Sequence, residues 1–179
     1  MSKNTLNPEI KTSEPSWLKP KFENIPEELK KQPWAVWKAE PREGQPNKFN
    51  KAPLNPLSGF KIGANQPEKF GTFDQAKKAY ESGKYTGVGI LLTGNQIVGI
   101  DIDNAVELFK QRPDVKGWLK QAQKNGAYCE ISPSGSGIRV FVLGAINGSG
   151  RKSGNLELYN DKRFLTVTGE IIDCKGAKQ

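Results

Sequence analysis

The chain has 179 residues with 19 Gly and 12 Pro, and its net charge of +8 comes from 27 Lys and Arg against 19 Asp and Glu. This composition is typical of a loop-rich globular protein, and the positive charge favours a polyanionic partner. The absence of histidine excludes His-based triads, His-ligated zinc and imidazole acid–base catalysis. No apolar run is long enough to span a bilayer, and the widely separated Cys129 and Cys174 predict a cytoplasmic protein without a zinc site.

The N-terminal sequence predicts a flexible leader over residues 1–24. The rest of the chain, residues 25–179, is predicted to form a single domain. Residues 26–30 begin with Pro and carry early acids, which predicts one helical turn. Residues 34–38 alternate large apolar side chains and predict a strand. Residues 41–66, rich in Lys, Asn, Pro and Gly, predict a β-hairpin and a long loop.

The remaining elements begin with a capped amphipathic helix, predicted over residues 72–83. Strands at 88–92 and 96–101 are separated by residues 93–95, whose composition predicts a hairpin between them. Further helices and short strands follow, which together predict an α+β fold with a mainly antiparallel sheet and flanking helices. The predicted helices are 105–111 and 113–125, and the predicted strands are 127–132, 138–143, 156–159, 164–168 and 171–173.

Two carboxylates stand one residue apart in the segment VGIDIDN. Because side chains alternate along a strand, Ile100 and Ile102 should face a core while Asp101 and Asp103 face the other way together. Such a pair suits a hard divalent cation, which prefers oxygen ligands. Taken alone, the pair fits a solvated strand end equally well.

Two further segments can add to this pair. The segment SPSGSGIRVF offers backbone N–H groups and the hydroxyls of Ser134 and Ser136 to an anion, with the guanidinium of Arg139 close behind. By itself it is equally an ordinary hairpin loop. Glu157, flanked by Leu156 and Leu158, faces away from them as a candidate third ligand. Three carboxylates, a turn suited to phosphate and a basic chain point to two-metal phosphoryl or nucleotidyl transfer.

Six segments, spread in order over residues 34–169, resemble the primase–polymerase domain of the archaeo-eukaryotic primase superfamily, in the form found in phage and plasmid replication proteins. They are PWAVWKAEP, KAPLNPLSG, GTFDQAKKAYESGKYTGVGILLTG, VGIDIDN, EISPSGSGIRVFV and GNLELYNDKRFLTVTG. The resemblance implies an RRM-like, sheet-based core that makes or extends primers from nucleoside triphosphates with Mg²⁺ or Mn²⁺. In that family Asp101 and Asp103 match the metal-binding pair, Glu157 matches the third acid, and Ser134 and Ser136 match the Ser/Gly turn.

One position departs from the family pattern, since Arg139 stands where the family has a nucleotide-contacting histidine. Arginine can still hold a triphosphate but cannot act as a neutral acceptor, which puts catalytic efficiency, metal preference and primer initiation in question. Lys51, Lys152 and Arg163 lie in matching segments and are predicted phosphate contacts.

We therefore predict a nucleotidyltransferase, a DNA primase or polymerase domain for the replication of a phage, plasmid or other mobile element. Its expected partners are single-stranded or primer–template DNA, nucleoside triphosphates, and a replicative helicase or other replication protein, with no membrane. The alternative is a weakly active or inactive module of the same fold that binds single-stranded DNA or a replication partner. A metal-dependent nuclease fits the three carboxylates but not the Ser/Gly turn and arginine.

Overall fold

A computed structural model describes residues 16–94, 96–148 and 150–172 of the chain. Its helices are α1 (Glu27–Lys30), α2 (Phe73–Glu81), α3 (Ala105–Gln111) and α4 (Pro113–Lys124), with short 3₁₀ turns at Phe22–Asn24 and Pro67–Lys69. Its strands are β1 (Trp34–Trp37), β2 (Glu40–Arg42), β3 (Gln45–Asn50), β4 (Pro53–Leu54), β5 (Gly87–Thr93), β6 (Ile97–Ile102), β7 (Tyr128–Ile131), β8 (Ile138–Leu143), β9 (Gly150–Ser153), β10 (Leu156–Tyr159) and β11 (Asp161–Val167). No helix in these ranges is long and apolar enough to cross a membrane.

The strands form two main sheets and a small hairpin. One sheet has the order β11-β5-β1-β4, the other has the order β7-β8-β6-β10-β9, and β2 pairs with β3. The pairings within these sheets are antiparallel. The prediction of an α+β fold with mainly antiparallel sheets is confirmed, and the finer RRM-like description stays a prediction.

The hairpin predicted between β5 and β6 is wrong. β5 pairs with β1 and β11, whereas β6 pairs with β8 and β10 in the other sheet. Both strands are central and almost wholly buried, so neither has a free edge for the other. The segment between them, of which residue 95 lies outside the described residues, carries the chain from one sheet to the next.

The chain has two hydrophobic cores, and the first of them also takes Ile97 and Phe141 from the five-stranded sheet. Trp34, Ile90 and Leu165 belong to the core beside the four-stranded sheet. Ile100 and Ile102 belong to the second core, together with buried residues of α4. The alternation predicted for β6 is therefore correct for Ile100 and Ile102, and it turns Asp101 towards the opposite face, while Asp103 follows the last residue of the strand.

Several local predictions are confirmed. Helix α2 begins with a capping box in which Thr72 Oγ1 accepts from the Gln75 N–H and the Gln75 side chain accepts from the Thr72 N–H. The short helix, the first strand, the 41–66 hairpin, helices α3 and α4, and the strands predicted at 127–132, 138–143, 156–159 and 164–168 also form, and β9 is a further strand that the sequence did not predict. Of the strand predicted at 171–173, only a single bridge from Ile171 to Glu130 is present, and residue 173 lies outside the described residues.

Residues 16–24 lie against the rest of the chain. The Leu18 N–H donates to the Pro133 carbonyl at 3.0 Å, and the Lys21 N–H donates to the Thr168 carbonyl at 2.7 Å. The Phe22 ring contacts Phe73 and Tyr80 edge-on. The boundary predicted at residue 24 stays a prediction, and the first 15 residues of the predicted leader lie outside the described residues.

The absence of a side chain at Gly89 allows β5 and β11 to pack closely against each other. A Cβ atom there would collide with the Leu165 carbonyl oxygen and would lie 2.7 Å from the Phe164 ring. We expect Gly89→Ala to lower the free energy of unfolding by about 1–3 kcal/mol in urea denaturation. Gly117→Ala in α4, where a Cβ meets nothing within 4 Å, should instead raise it by about 0.5–1 kcal/mol. Equal stability of the two variants would contradict this packing.

Candidate active site

A row of charged side chains crosses the five-stranded sheet. Register partners place Glu130 beside Arg139, Arg139 beside Asp101, Asp101 beside Glu157, and Glu157 beside Lys152. Directly opposed residues on neighbouring strands project from the same face of a sheet. The row therefore lies on the face opposite the second core. It contains four residues that the sequence analysis singled out, and it also contains Glu130, which the sequence analysis did not single out.

The Arg139 guanidinium is buried, with the residue only 6% exposed. Its Nε and Nη2 donate to the two carboxylate oxygens of Asp101 at 3.3 and 3.1 Å. Its Nη1 donates to the carbonyl and the hydroxyl of Thr166 on β11. Each guanidinium nitrogen thus has a partner inside the protein, and the triphosphate contact suggested for Arg139 stays a prediction.

Glu157 accepts bonds from three neighbouring side chains. Lys152 Nζ and Arg163 Nη2 form ion pairs with it, the latter at 3.0 Å, and the Tyr159 hydroxyl donates at 2.8 Å. The Lys152 ammonium is the main cause that lowers the pKa of Glu157. The side chains of Lys152 and Arg163 are 64% and 44% exposed, so both cations can move without unpacking a core.

Asp103 is the exposed member of the three acids. Its backbone N–H donates to the Asn155 carbonyl at 2.9 Å, which holds the end of β6 next to β10. Partial burial of the carboxyl group, and then the charges of Asp101 and Glu157, raise its pKa. The three carboxylates are therefore close enough to repel one another, and Asp103 forms no ion pair with a cation in the described part of the chain.

The Ser/Gly turn is anchored beside these acids. The Ser132 hydroxyl accepts from the Gly137 N–H, and the hydroxyls of Ser134 and Ser136 lie 3.0 Å apart on the exposed side of the turn. The Ser136 carbonyl accepts from the N–H of Ala105, two residues after Asp103. The turn thus presents two hydroxyls to solvent near the acidic end of β6.

Lys51 follows β3 and faces the same region. Burial, and then the charge of Arg139, lower its pKa to about 8, while Asp101 and Asp103 oppose the shift. Its ammonium lies 5.0 Å from the centroid of the Trp17 ring. Lys51 is therefore within electrostatic reach of both aspartates without forming an ion pair with either of them.

Sequence reasoning missed Thr166, which accepts two bonds from Arg139, and Glu130, which lies beside Arg139 on the neighbouring strand. Glu130 is fully buried, and its carboxylate accepts from the N–H groups of Thr168 and Gly169 and from the Tyr128 hydroxyl. Burial raises its pKa to about 7 despite these donors. In the sequence, the one indication of a role for Glu130 is that an acidic residue stands in a short strand between Cys129 and Ile131. The strand pattern does not reveal which groups hydrogen-bond to its carboxylate.

The donor set suits a hard cation, although the carboxylates of Asp101 and Glu157 are already engaged by cationic side chains. Across the described ranges, no three Cys, Asp or Glu side chains are arranged to hold a metal ion as they stand. A carboxylate has about four lone-pair sites, so the bonds from Arg139 leave acceptor capacity on Asp101. The repulsion that raises the pKa of Asp103 is what a divalent cation would relieve. The residues fit Mg²⁺ or Mn²⁺ once the exposed cations on Glu157 move aside.

The sequence of the chain is similar to that of a phage protein. No protein-family model matches the chain. Over 154 residues the chain is 32% identical to a protein named DNA Primase-polymerase from Nitratiruptor phage NrS-1. The alignment covers 78% of this chain and 19% of that protein, so the chain spans about a fifth of the length of this curated relative. The chain is thus related to a phage primase–polymerase.

Because the Arg139–Asp101 pair is buried, a single substitution should lower the free energy of unfolding much more than the double substitution does. Arg139→Leu leaves a buried carboxylate without its cation, and we expect it to lower the free energy of unfolding by about 3–5 kcal/mol. The double variant Arg139→Leu/Asp101→Leu should recover most of this loss. Arg112→Ala, which breaks an exposed ion pair with Asp114, is the control and should leave the urea midpoint unchanged. A harmless Arg139→Leu would contradict the structural role of the pair.

Glu130 predicts a specific pH dependence of stability. Its pKa in the folded chain, about 7, lies above its ordinary value of 4.5, so the folded state binds the proton more tightly. The stability contributed by this group should therefore fall by about 3 kcal/mol as the pH rises from about 4.5 to 7.

Glu130→Gln keeps the shape of the side chain but cannot ionise. The difference in unfolding free energy between the wild type and this variant should shift in favour of the variant between pH 5 and 8. Thermal or urea unfolding at several pH values measures this difference, and parallel pH profiles for the two proteins would rule out the assignment.

Proposed function

We propose that this chain is a primase–polymerase catalytic domain of the archaeo-eukaryotic primase superfamily. It transfers nucleotides from nucleoside triphosphates to a primer or an initiating nucleotide in the replication of a phage, plasmid or other mobile element. The observation that carries the proposal is the strand register that sets Asp101 beside Glu157, with Asp103 exposed next to them. The similarity to a phage primase–polymerase supports it.

Asp101, Asp103 and Glu157 are the residues that would hold Mg²⁺ or Mn²⁺. There the metals would neutralise triphosphate charge and make the attacking hydroxyl more acidic. In the transfer, the 3′-hydroxyl gives up its proton to solvent and its oxygen forms a bond to the α-phosphorus, while the bond from that phosphorus to the pyrophosphate leaving group breaks. The protein contributes mainly position and charge to such a reaction.

The chain's own cations bind and orient the triphosphate. Lys152 and Arg163 are exposed and now neutralise Glu157, so an incoming triphosphate offers them stronger, charge-assisted partners. Their movement towards the phosphates frees the Glu157 oxygens at the same time. The hydroxyls of Ser134 and Ser136 supply further donors from the anchored turn.

The proposed partners follow from this role. They are single-stranded or primer–template DNA, nucleoside triphosphates, and a replicative helicase or other replication protein, in the cytoplasm. The basic net charge of +8 supports nucleic acid as the main partner.

A second candidate rests on the Arg139–Asp101 ion pair. The Arg139 guanidinium occupies one predicted metal ligand, Asp101, and Arg139 is only 6% exposed. This arrangement favours a module that keeps the fold but has weak or no catalysis. Such a module would bind single-stranded DNA or a replication partner through its basic surface.

Primer extension with Mg²⁺ or Mn²⁺ separates these two functions. We expect Asp103→Ala to lower extension by at least ~100-fold, because loss of a metal ligand removes several kcal/mol of transition-state stabilisation. Asp114→Ala removes the same charge from exposed α4 and should extend primers like the wild type.

Two outcomes decide against the catalytic proposal. Full extension by a folded Asp101→Asn/Asp103→Ala variant would exclude these acids as metal ligands. Wild-type DNA binding in EDTA with no extension under either metal would favour the binding module. An Arg139→His variant that extends faster than the wild type would show that position 139 limits the reaction.

A further inference from the structure

A basic groove lies beside the acidic row and is not explained by it. The groove has a volume of about 520 Å³ and is lined by Lys51, Lys61, Lys162 and Arg163, with Pro53 and Phe164 among its walls. No acidic side chain is among its lining residues in the described part of the chain. Four basic side chains surround this open groove, and although Arg163 is paired with Glu157, the groove keeps a positive potential that attracts a chain of negative charges.

One wall of the groove depends on a bulge in β11. The pairing of β11 with β5 shifts register between Asp161 and Arg163, and Lys162 at the shift has a φ of 50°. Residues other than glycine adopt this left-handed backbone rarely, and such strain is concentrated at functional sites. In a regular strand, adjacent side chains face opposite ways, whereas here Lys162, Arg163 and Phe164 all line the groove.

The opposite wall is formed by the chain around β4. Lys61 forms a bridge with Leu54, and the Ile62 N–H donates to the Pro53 carbonyl at 3.0 Å. Ile62 is buried while Lys61 is exposed, which fixes the Lys61 side chain on the outer surface. Lys61 and Lys162 form no ion pair with an acid within the described ranges, so the structure leaves both charges unneutralised.

The groove leads to the acidic row. Arg163 lines the groove and also pairs with Glu157 at 3.0 Å. Lys51 lines it as well and feels the charges of Asp101 and Asp103. A ligand that lies in the groove therefore has one end next to the three carboxylates.

An exposed apolar tip precedes Lys61. Phe60 is 76% exposed and Leu57 is 73% exposed. The turn that carries them is well ordered by hydrogen bonds, since the Asn55 side-chain oxygen accepts from the N–H groups of Leu57 and Ser58. A solvent-facing aromatic ring, next in sequence to a lysine that lines the groove, offers a surface on which an unpaired base can stack.

We propose that this groove binds the sugar–phosphate backbone of a single nucleic-acid strand, with Phe60 as a stacking surface for a base. The proposal rests on the proposed function only in identifying that strand as the template or primer that approaches the acids. Phosphate oxygens of a nucleoside triphosphate share the same chemistry. We assign the groove to a strand because Lys61 and Lys162 contact none of the three acids and because Phe60 offers a surface for bases.

The test measures binding of two probes by fluorescence anisotropy in EDTA, without any chemical step. The probes are a labelled oligothymidylate of about 20 nucleotides and a labelled ATP. The groove variant is Lys61→Ala/Lys162→Gly, in which glycine also suits the positive φ. The matched control is Lys116→Ala/Lys124→Ala, which removes the same charge from exposed positions of α4. Circular dichroism checks the fold of both variants.

We expect the groove variant to bind the oligonucleotide about 10-fold or more weakly than the control, with a smaller slope of log affinity against log salt. Phe60→Ala should weaken oligonucleotide binding at all salt concentrations and leave the slope unchanged. Equal oligonucleotide binding by groove variant and control would overturn the proposal. Loss of ATP binding alone would also overturn it, by assigning the groove to the triphosphate.

These outcomes are independent of the catalytic proposal. A chain that extends no primer but loses strand binding through the groove variant would retain the groove assignment and lose the enzymatic one. If the groove variant binds strands normally and Asp103→Ala abolishes extension, the groove assignment is lost and the enzymatic one is retained.

Discussion

The Arg139 guanidinium is the interaction on which the site and the arrangement of the two sheets both depend. It belongs to β8 of the five-stranded sheet, reaches Asp101 on β6 of the same sheet, and binds Thr166 on β11 of the other. Glu130 makes a second connection, from β7 to the N–H groups of Thr168 and Gly169 that follow β11. Because these bonds are buried, a change in the packing between the sheets alters the position of Asp101 directly.

The function that we propose places two opposed requirements on the three acids. Folding without a metal needs their charge to be neutralised, and Arg139 does this for Asp101 while Lys152 and Arg163 do it for Glu157. Phosphoryl transfer needs the same oxygens for a cation. The two neutralising arrangements differ in exposure: the cations on Glu157 are mobile surface side chains, whereas Arg139 is fixed in the interior. A change of ligand is therefore easy at Glu157 and costly at Asp101.

The features that could be predicted from the sequence are those determined by a few neighbouring residues. The cap at the start of the helix predicted over residues 72–83 and the alternation of Ile100 and Asp101 are encoded within a few residues, and both predictions are correct. The hairpin expected at residues 93–95 is wrong because strand partners are chosen over long distances, and both edges of β5 are taken by β1 and β11. The same limit explains why Thr166 gave no signal: its role depends on a guanidinium from a different sheet.

The bulge at Lys162 also divides β11 into two parts with separate registers. On one side Asp161 pairs with Thr93, and on the other residues 163–167 pair continuously along β5. An extra residue accommodated at a bulge absorbs changes in chain length that would otherwise move every following side chain to the opposite face. The segment that joins β10 to β11 can thus change in length or sequence without displacing Thr166 from Arg139. Changes before the bulge therefore leave the joint between the sheets in register.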